Sequence, residues 1–254
     1  MDRNGSASYS QTDSRSVIEV CPLVRTLNPT VRAVRRDAIL DVAERLMRTC
    51  GYEEMSVQDI QDELGVSRGA IYHYFGSKAE ILDAVSERIT NTVMAAIETI
   101  ADDPDLTPMA KLKRVFAVAS QWKAERKDLM VALAQAWYSD QNLLVRERME
   151  HLVATRLTPL IADILRDGKA EDVFHVGSPD HAAAILVAML LDSGEALSRL
   201  VFAGLEGNAS FEEIEIAVSA YNEAFGRILG LSSGSFEIVD PLTLRFWLDR
   251  EEHP

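Results

Sequence analysis

Within residues 56–82, SVQDIQDELGVSRGAIYHYFGSKAEIL, the chain sets Arg68, Tyr72, His73, Tyr74 and Lys78 behind one glycine turn at Gly65. Two cations, an imidazole and two phenols this close together form either the edge of a core or a contact surface for an anion. Helical spacing sorts them. Val57, Ile60 and Leu64 make an apolar ladder that is expected to bury, together with Val66, against Ile71 and a preceding helix. Arg68, Gly69, Tyr72 and His73 are then left on the outer side of a short helix that starts after Ser67. The first amides of that helix offer positive partial charge to a phosphate. Gly69 and Ala70 carry no bulky side chain, so the helix can approach a groove closely. Two short helices joined by a turn of three to four residues have the form of a helix-turn-helix.

The elements that position this set begin before it. Ile39, Val42, Ala43, Leu46 and Met47 recur at helical spacing from Thr30 onward, and Gly51 stops that helix. Arg32, Arg35 and Arg36 stand on its first turns, where cations oppose the helix dipole and do nothing for helix stability. SVQD at Ser56 and SKAE at Ser77 both read as capping boxes. Ser67 is placed to cap the helix to about Tyr74. The helix opened by Ser77 is long, with Ile81, Leu82, Val85, Ile89, Val93, Ala96, Ile97 and Ile100 in one stripe. Past Pro104 the pattern predicts helices at about 107–126, 128–138, 141–167, 179–205 and 211–229, with Pro159 kinking or dividing the third of these. Residues 167–180 read as a long loop. The expected units are a mobile tail over 1–29, a reading head over 30–76, a helical body over 77–230 and a C-terminal tail over 231–254 with room for one short helix after Asp240.

Charge is unevenly spread. The chain has 254 residues and a net charge of −14. Residues 1–90 carry 11 Lys+Arg against 14 Asp+Glu, a balance of −3, whereas the remainder carries 15 against 26, a balance of −11. A general nucleic-acid coat protein is excluded, but a small local positive face is not. Cys21 and Cys50 have no paired spacing, the longest apolar run (182–191) is too short to span a bilayer, and the first residues lack the apolar core of a secretory signal. A cytoplasmic protein without membrane association is expected. His73, His151, His175, His181 and His253 have no metal spacing. No nucleophile elbow, phosphate loop or dinucleotide fingerprint is present, and no Glu-x-x-His pair that would serve a di-metal bundle. The reading is of a non-enzyme without cofactor or metal.

GYEEMSVQDIQDELGVSRGAIYHYFGSKAEILDAV resembles the N-terminal domain of the TetR family of transcriptional regulators, over about residues 34–85, and GVSRGAIYHYFGSKAEIL is specific for it. The resemblance implies an all-α fold: an N-terminal three-helix helix-turn-helix DNA-binding domain joined to a larger helical bundle for ligand binding and dimerisation. It implies Gln58 and Arg68 as base readers, since Gln can fork onto adenine and Arg onto guanine. Gly69 takes a position that lies over the bases in relatives. Ser56, Ser67, Tyr72, His73 and Lys78 take the positions of phosphate contacts. Relatives often have Thr where Ala70 stands, so one hydroxyl contact is missing here, and the tail before the first helix is longer than usual.

The family's function implies double-stranded operator DNA and a small-molecule effector as partners. One head reads too few base pairs, so a homodimer is expected, paired through helices at about 179–205 and 211–229. The effector site is expected inside the bundle over about 90–178, lined by Met94, Phe116, Trp122, Met130, Trp137, Tyr138 and Phe174, with Gln135 and His175 as polar handles. Asp192 interrupts an apolar helix and has two readings, a pair across the dimer or a group facing the pocket. Glu195 and Arg199 read as an i,i+4 pair. The competing reading is a helical ligand-binding or scaffold protein without operator binding, which would leave Tyr72, His73 and Lys78 unexplained.

Overall fold

The computed structural model describes residues 29–238, together with Arg245 and Trp247. Cys21, the tail over 1–28 and most of the segment after Asp240 lie outside the described residues. The described chain is helical throughout, in the order α1 (Pro29–Glu54), α2 (Val57–Leu64), α3 (Arg68–Tyr72), α4 (Lys78–Ala101), α5 (Pro108–Ala124), α6 (Lys127–Trp137), a short 3-10 turn (Asp140–Asn142), α7 (Leu143–Ala170), α8 (Pro179–Leu205) and α9 (Phe211–Leu229). No helix among these residues is long and apolar enough to cross a membrane.

Local chemistry sets most of the boundaries. Gly51, at φ 85°, breaks the path of α1 as expected, and one further turn carries Tyr52 into the core. Pro179 stands in the first turn of α8 and Thr107 caps α5 ahead of Pro108. α9 opens on a reciprocal Ser210–Glu213 capping box and closes on Gly230.

Of the two outcomes expected at Pro159, division does not occur, and the loop after α7 differs in length. α7 runs through Pro159 without being divided. Pro159 and Thr155, whose carbonyl loses its helical donor, are both on the exposed side, where water can take that donor's place. The loop after α7 is shorter than expected, because the helix continues to Ala170. The Gly168 carbonyl then accepts from the Val173 and Phe174 amides at 2.7 and 3.1 Å, folding the chain back so that the Phe174 ring lies directly on Gly168.

Two large apolar clusters hold the molecule. The first joins α1, α2, α3 and the start of α4 to α6 and Val145 of α7, through Leu40, Met47, Ile60, Ile71, Phe75, Leu82 and Leu133. The second fills the body, where Met94, Leu112, Ile161, Leu165, Phe174, Leu186, Phe225 and Leu229 meet. Each fully buried side chain of this size contributes about 1.5–3 kcal/mol of transfer free energy. α4 belongs to both clusters. It is also clamped on two sides: Arg88 pairs with Glu44 and Asp41 of α1, while Arg148 and Arg156 of α7 reach Asp83 and Glu98.

Candidate nucleic-acid interface

Ser56 fixes the start of α2. Its hydroxyl accepts from the Asp59 amide at 3.2 Å and donates to the Asp59 carboxylate at 2.7 Å, and its own amide donates to that carboxylate at 2.8 Å; the hydroxyl first and then the amide hold that carboxyl below its ordinary value. Gly65 ends α2 in the left-handed region, at φ 63°, and its amide returns to the Asp62 and Gln61 carbonyls. That turn lets α3 cross α2 so that Ile60 and Ile71 close on each other's side of the core with no exposure, with Phe75 beside them.

The inward and outward division follows the expected ladder except at three places. Val66 is exposed, not buried: it follows the left-handed cap, which turns it to the same side as the start of α3. Ser67 takes the N-cap backbone position of α3, but its hydroxyl makes no capping bond and stands exposed. SKAE is only half a capping box. Ser77 accepts from the Glu80 amide at 3.1 Å, whereas the Glu80 carboxylate takes the Gly76 amide at 2.8 Å instead of that of Ser77.

The expected contact residues lie as follows. Gln58, Ser67, Arg68, Gly69, Tyr72 and His73 are all exposed, on α2, α3 and the turn between and after them. Gln58 donates to the Asp62 carboxylate at 2.7 Å. Arg68 lies over the Tyr72 ring and reaches its hydroxyl, a contact that raises the guanidinium further above its already high value. A side chain at Gly69 would meet nothing within 4 Å, so the front of α3 is open. Lys78 is half-buried: its Nζ donates to the Glu53 carbonyl at 3.0 Å and sits 4.3 Å from the centre of the Tyr52 ring. Ser56 is half-buried in its cap. Tyr74, undecided from sequence, packs on the first cluster with its hydroxyl buried and its ring edge-on to His73. Arg36 lies over Phe75, while Arg32 and Arg35 are exposed on the projecting start of α1.

Six of the nine residues expected around an effector fall into the two apolar clusters. Trp122, Met130 and Trp137 join the first cluster, and Met94, Phe116 and Phe174 the second. Phe116 is edge-on to Phe225 and Phe236, at 6.0 and 5.6 Å between ring centres. Tyr138 is half-buried at the end of α6, and burial pushes its phenol up to about 12. Gln135 is exposed. So is His175, whose amide closes onto the Leu229 carbonyl at the end of α9. Two clefts lie elsewhere. One of about 460 Å³ runs along α9 between Glu215 and Glu237. The other, of about 190 Å³, lies between Asp83 and Leu152. Asp192 is exposed, and Glu195 pairs with Arg199 as expected and also with Arg146 of α7.

Sequence reasoning missed the links that tie the end of α6 to α4 and to the end of α1. The Trp137 indole donates to Ser86 of α4 at 2.8 Å, and Asn142 bridges Tyr52 and the Ala136 carbonyl. Residues 51 and 90 positions apart leave no local signal of such contacts.

Residues 39–85 match the model of the bacterial regulatory proteins of the tetR family. The HTH-type transcriptional repressor KstR2 of Mycolicibacterium smegmatis is 27% identical over 150 residues, which is 58% of this chain and 70% of that one. The regulator EthR of Mycobacterium tuberculosis is 36% identical over 70 residues, 28% of this chain and 32% of EthR. In structure, a transcriptional regulator from Cytophaga hutchinsonii superposes with a TM-score of 0.56 at 16% identity, over 77% of this chain and 97% of its own. The SmeT–triclosan complex does so with a TM-score of 0.56 at 23% identity, over 80% and 94%. At these identities the superpositions speak for the fold. The family match falls on the helix-turn-helix itself, so the chain carries, over residues 39–85, the DNA-binding domain of the tetR family of bacterial regulatory proteins.

Proposed function

We propose that the protein is a homodimeric, effector-responsive repressor that binds a palindromic operator. The observation that carries this reading is the outward set Gln58, Arg68, Gly69, Tyr72 and His73 on a helix-turn-helix whose packing residues are all accounted for. In this reading Gln58 and Arg68 read bases, Gly69 lies over them, and Ser56, Ser67, Tyr72, His73 and Lys78 hold phosphates. Units of 30–76 and 77–230 act as reading head and effector body, in the cytoplasm. Repression is supported by the function named for KstR2.

Pairing through α8 and α9 is supported by Ile185 and Ile216, which are 55% and 63% exposed on those helices. A small, largely apolar effector is supported by the apolar body and by the resorcinol and triclosan held by two proteins of the same fold, RolR and SmeT. Effector binding would tilt α4, which shares both clusters, and so change the spacing of the two heads. That requires different effector affinities for the two spacings.

Selection of bound sequences from random duplex DNA tests the reading. The expected product is one palindrome bound by two protomers, released on addition of an apolar ligand found by thermal shift. Sequence-independent binding, or none, would overturn it, and equal operator affinity with and without saturating ligand would overturn the switch.

A further inference from the structure

Asn142 is one of four buried polar side chains among the described residues. It occupies the N-cap position of α7, yet its side chain makes no capping bond. It is committed elsewhere. Its Nδ2 donates to the Ala136 carbonyl in the last turn of α6 at 2.9 Å, and its Oδ1 accepts from the Tyr52 hydroxyl at 3.4 Å. Tyr52 is itself buried, and burial first, then Glu53, pushes its phenol up, so the hydroxyl keeps its proton and remains a donor. The face of the Tyr52 ring lies beneath the Lys78 ammonium, 4.3 Å from Nζ to ring centre. Lys78 Nζ also holds the Glu53 carbonyl, the residue after Tyr52.

We propose that Asn142 is a positioning residue for Lys78: by tying Tyr52 to the end of α6, it sets where the ammonium stands on the DNA face. This rests on the operator-binding reading above. An ammonium has three donors, and one is taken by Glu53, so two stay available for a phosphate. A ring held at its hydroxyl presents one face at one height. A ring released there can rotate and withdraw, taking its hold on the ammonium with it. The relay enters at Ala136, next to Trp137, which holds Ser86 of α4. Movement of the end of α6 therefore reaches the head through α1 as well as through α4.

The test uses the full chain with its selected operator, comparing wild type with Asn142→Ala, Tyr52→Phe, Lys78→Ala and the double variant Asn142→Ala/Lys78→Ala. Affinity is followed against salt. Lys78→Ala should lower the slope of log affinity on log salt by about one. Asn142→Ala should lower it by a comparable amount and add nothing in the Lys78→Ala background. Independently of DNA, the Lys78 side-chain protons should carry an upfield ring-current shift in the free protein that shrinks in Asn142→Ala. If Asn142→Ala fails to fold, Tyr52→Phe carries the test, because it removes only the hydroxyl, and the same losses are expected. Additive effects of the two single variants, an unchanged salt slope or an unmoved Lys78 resonance would each overturn the proposal. Failure of the operator reading looks different: wild type would lack sequence-specific binding while the Lys78 resonance still responded to Asn142→Ala.

Discussion

Arg68 lies over the ring of Tyr72, one helical turn on, with 5.3 Å from guanidinium carbon to ring centre and 3.4 Å from Nη2 to the hydroxyl. Both residues are exposed on α3, Tyr72 at 41%, so the guanidinium is parked, not buried, and can swing to a base edge at small cost. Arg68→Ala is expected to relax preference at one operator position by roughly ten- to a hundred-fold while leaving the other positions selective. Binding measured against all four bases at each position of the selected site checks this. Uniform loss at every position would make Arg68 a phosphate contact.

Ser56 and Ser67 look alike in sequence but differ in structure. The Ser56 hydroxyl is held in a reciprocal cap, whereas that of Ser67 caps nothing. Ser56→Ala should therefore cost about 0.5–2 kcal/mol of stability. Ser67→Ala should leave the unfolding midpoint within error and weaken operator binding at all sequences alike. Thermal unfolding beside binding isotherms separates the two. A stability loss at Ser67 equal to that at Ser56 would contradict the assignment.

These two serines show where sequence was legible and where it stopped. Caps and stops that act within four residues were readable: Gly51, Ser56 and Pro179 stand at the expected breaks, and α8 and α9 begin and end as their periodicity implies. The ladder Val57, Ile60 and Leu64 against Ile71 was readable because a helix face repeats locally. What failed needed three-dimensional orientation. Val66 turns outward because Gly65 is left-handed, and Glu80 reaches past Ser77 to Gly76. The Asn142–Tyr52 contact joins residues with no shared periodicity, and Phe174 and His175 were grouped by type although the chain turns them to opposite sides, one buried and one exposed.

Gly168 and Phe174 make a stability prediction with a clear sign. A Cβ at position 168 would come within 2.1 Å of the Phe174 ring, which is fully buried and cannot step aside. Ala is the better helix former by up to about 1 kcal/mol. Overpacking in a closed core costs about 1–3 kcal/mol, so the clash wins. Gly168→Ala should lower the unfolding midpoint by several degrees, about 2–4 °C for each kcal/mol in a chain of this size. An unchanged or raised midpoint would show that the loop of residues 171–174 yields.

Glu150 supplies the pH-dependent case. Its carboxyl is held above its ordinary value by burial first. Arg146 pulls it back, and Glu195, Glu147 and Asp192 add to the rise. The folded protein thus binds this proton more tightly than the unfolded chain does. Its contribution is most favourable below the unfolded-state value and is lost as pH rises through the higher folded one. Glu150→Gln mimics the protonated form and leaves Arg146 its pair with Glu195. The variant should therefore unfold at higher temperature than wild type at pH 7, with the difference shrinking as pH falls toward the carboxylate range. Unfolding midpoints of both proteins across that range check this. A variant less stable than wild type at pH 7 would mean that the Arg146 contact outweighs burial and the three neighbouring acids.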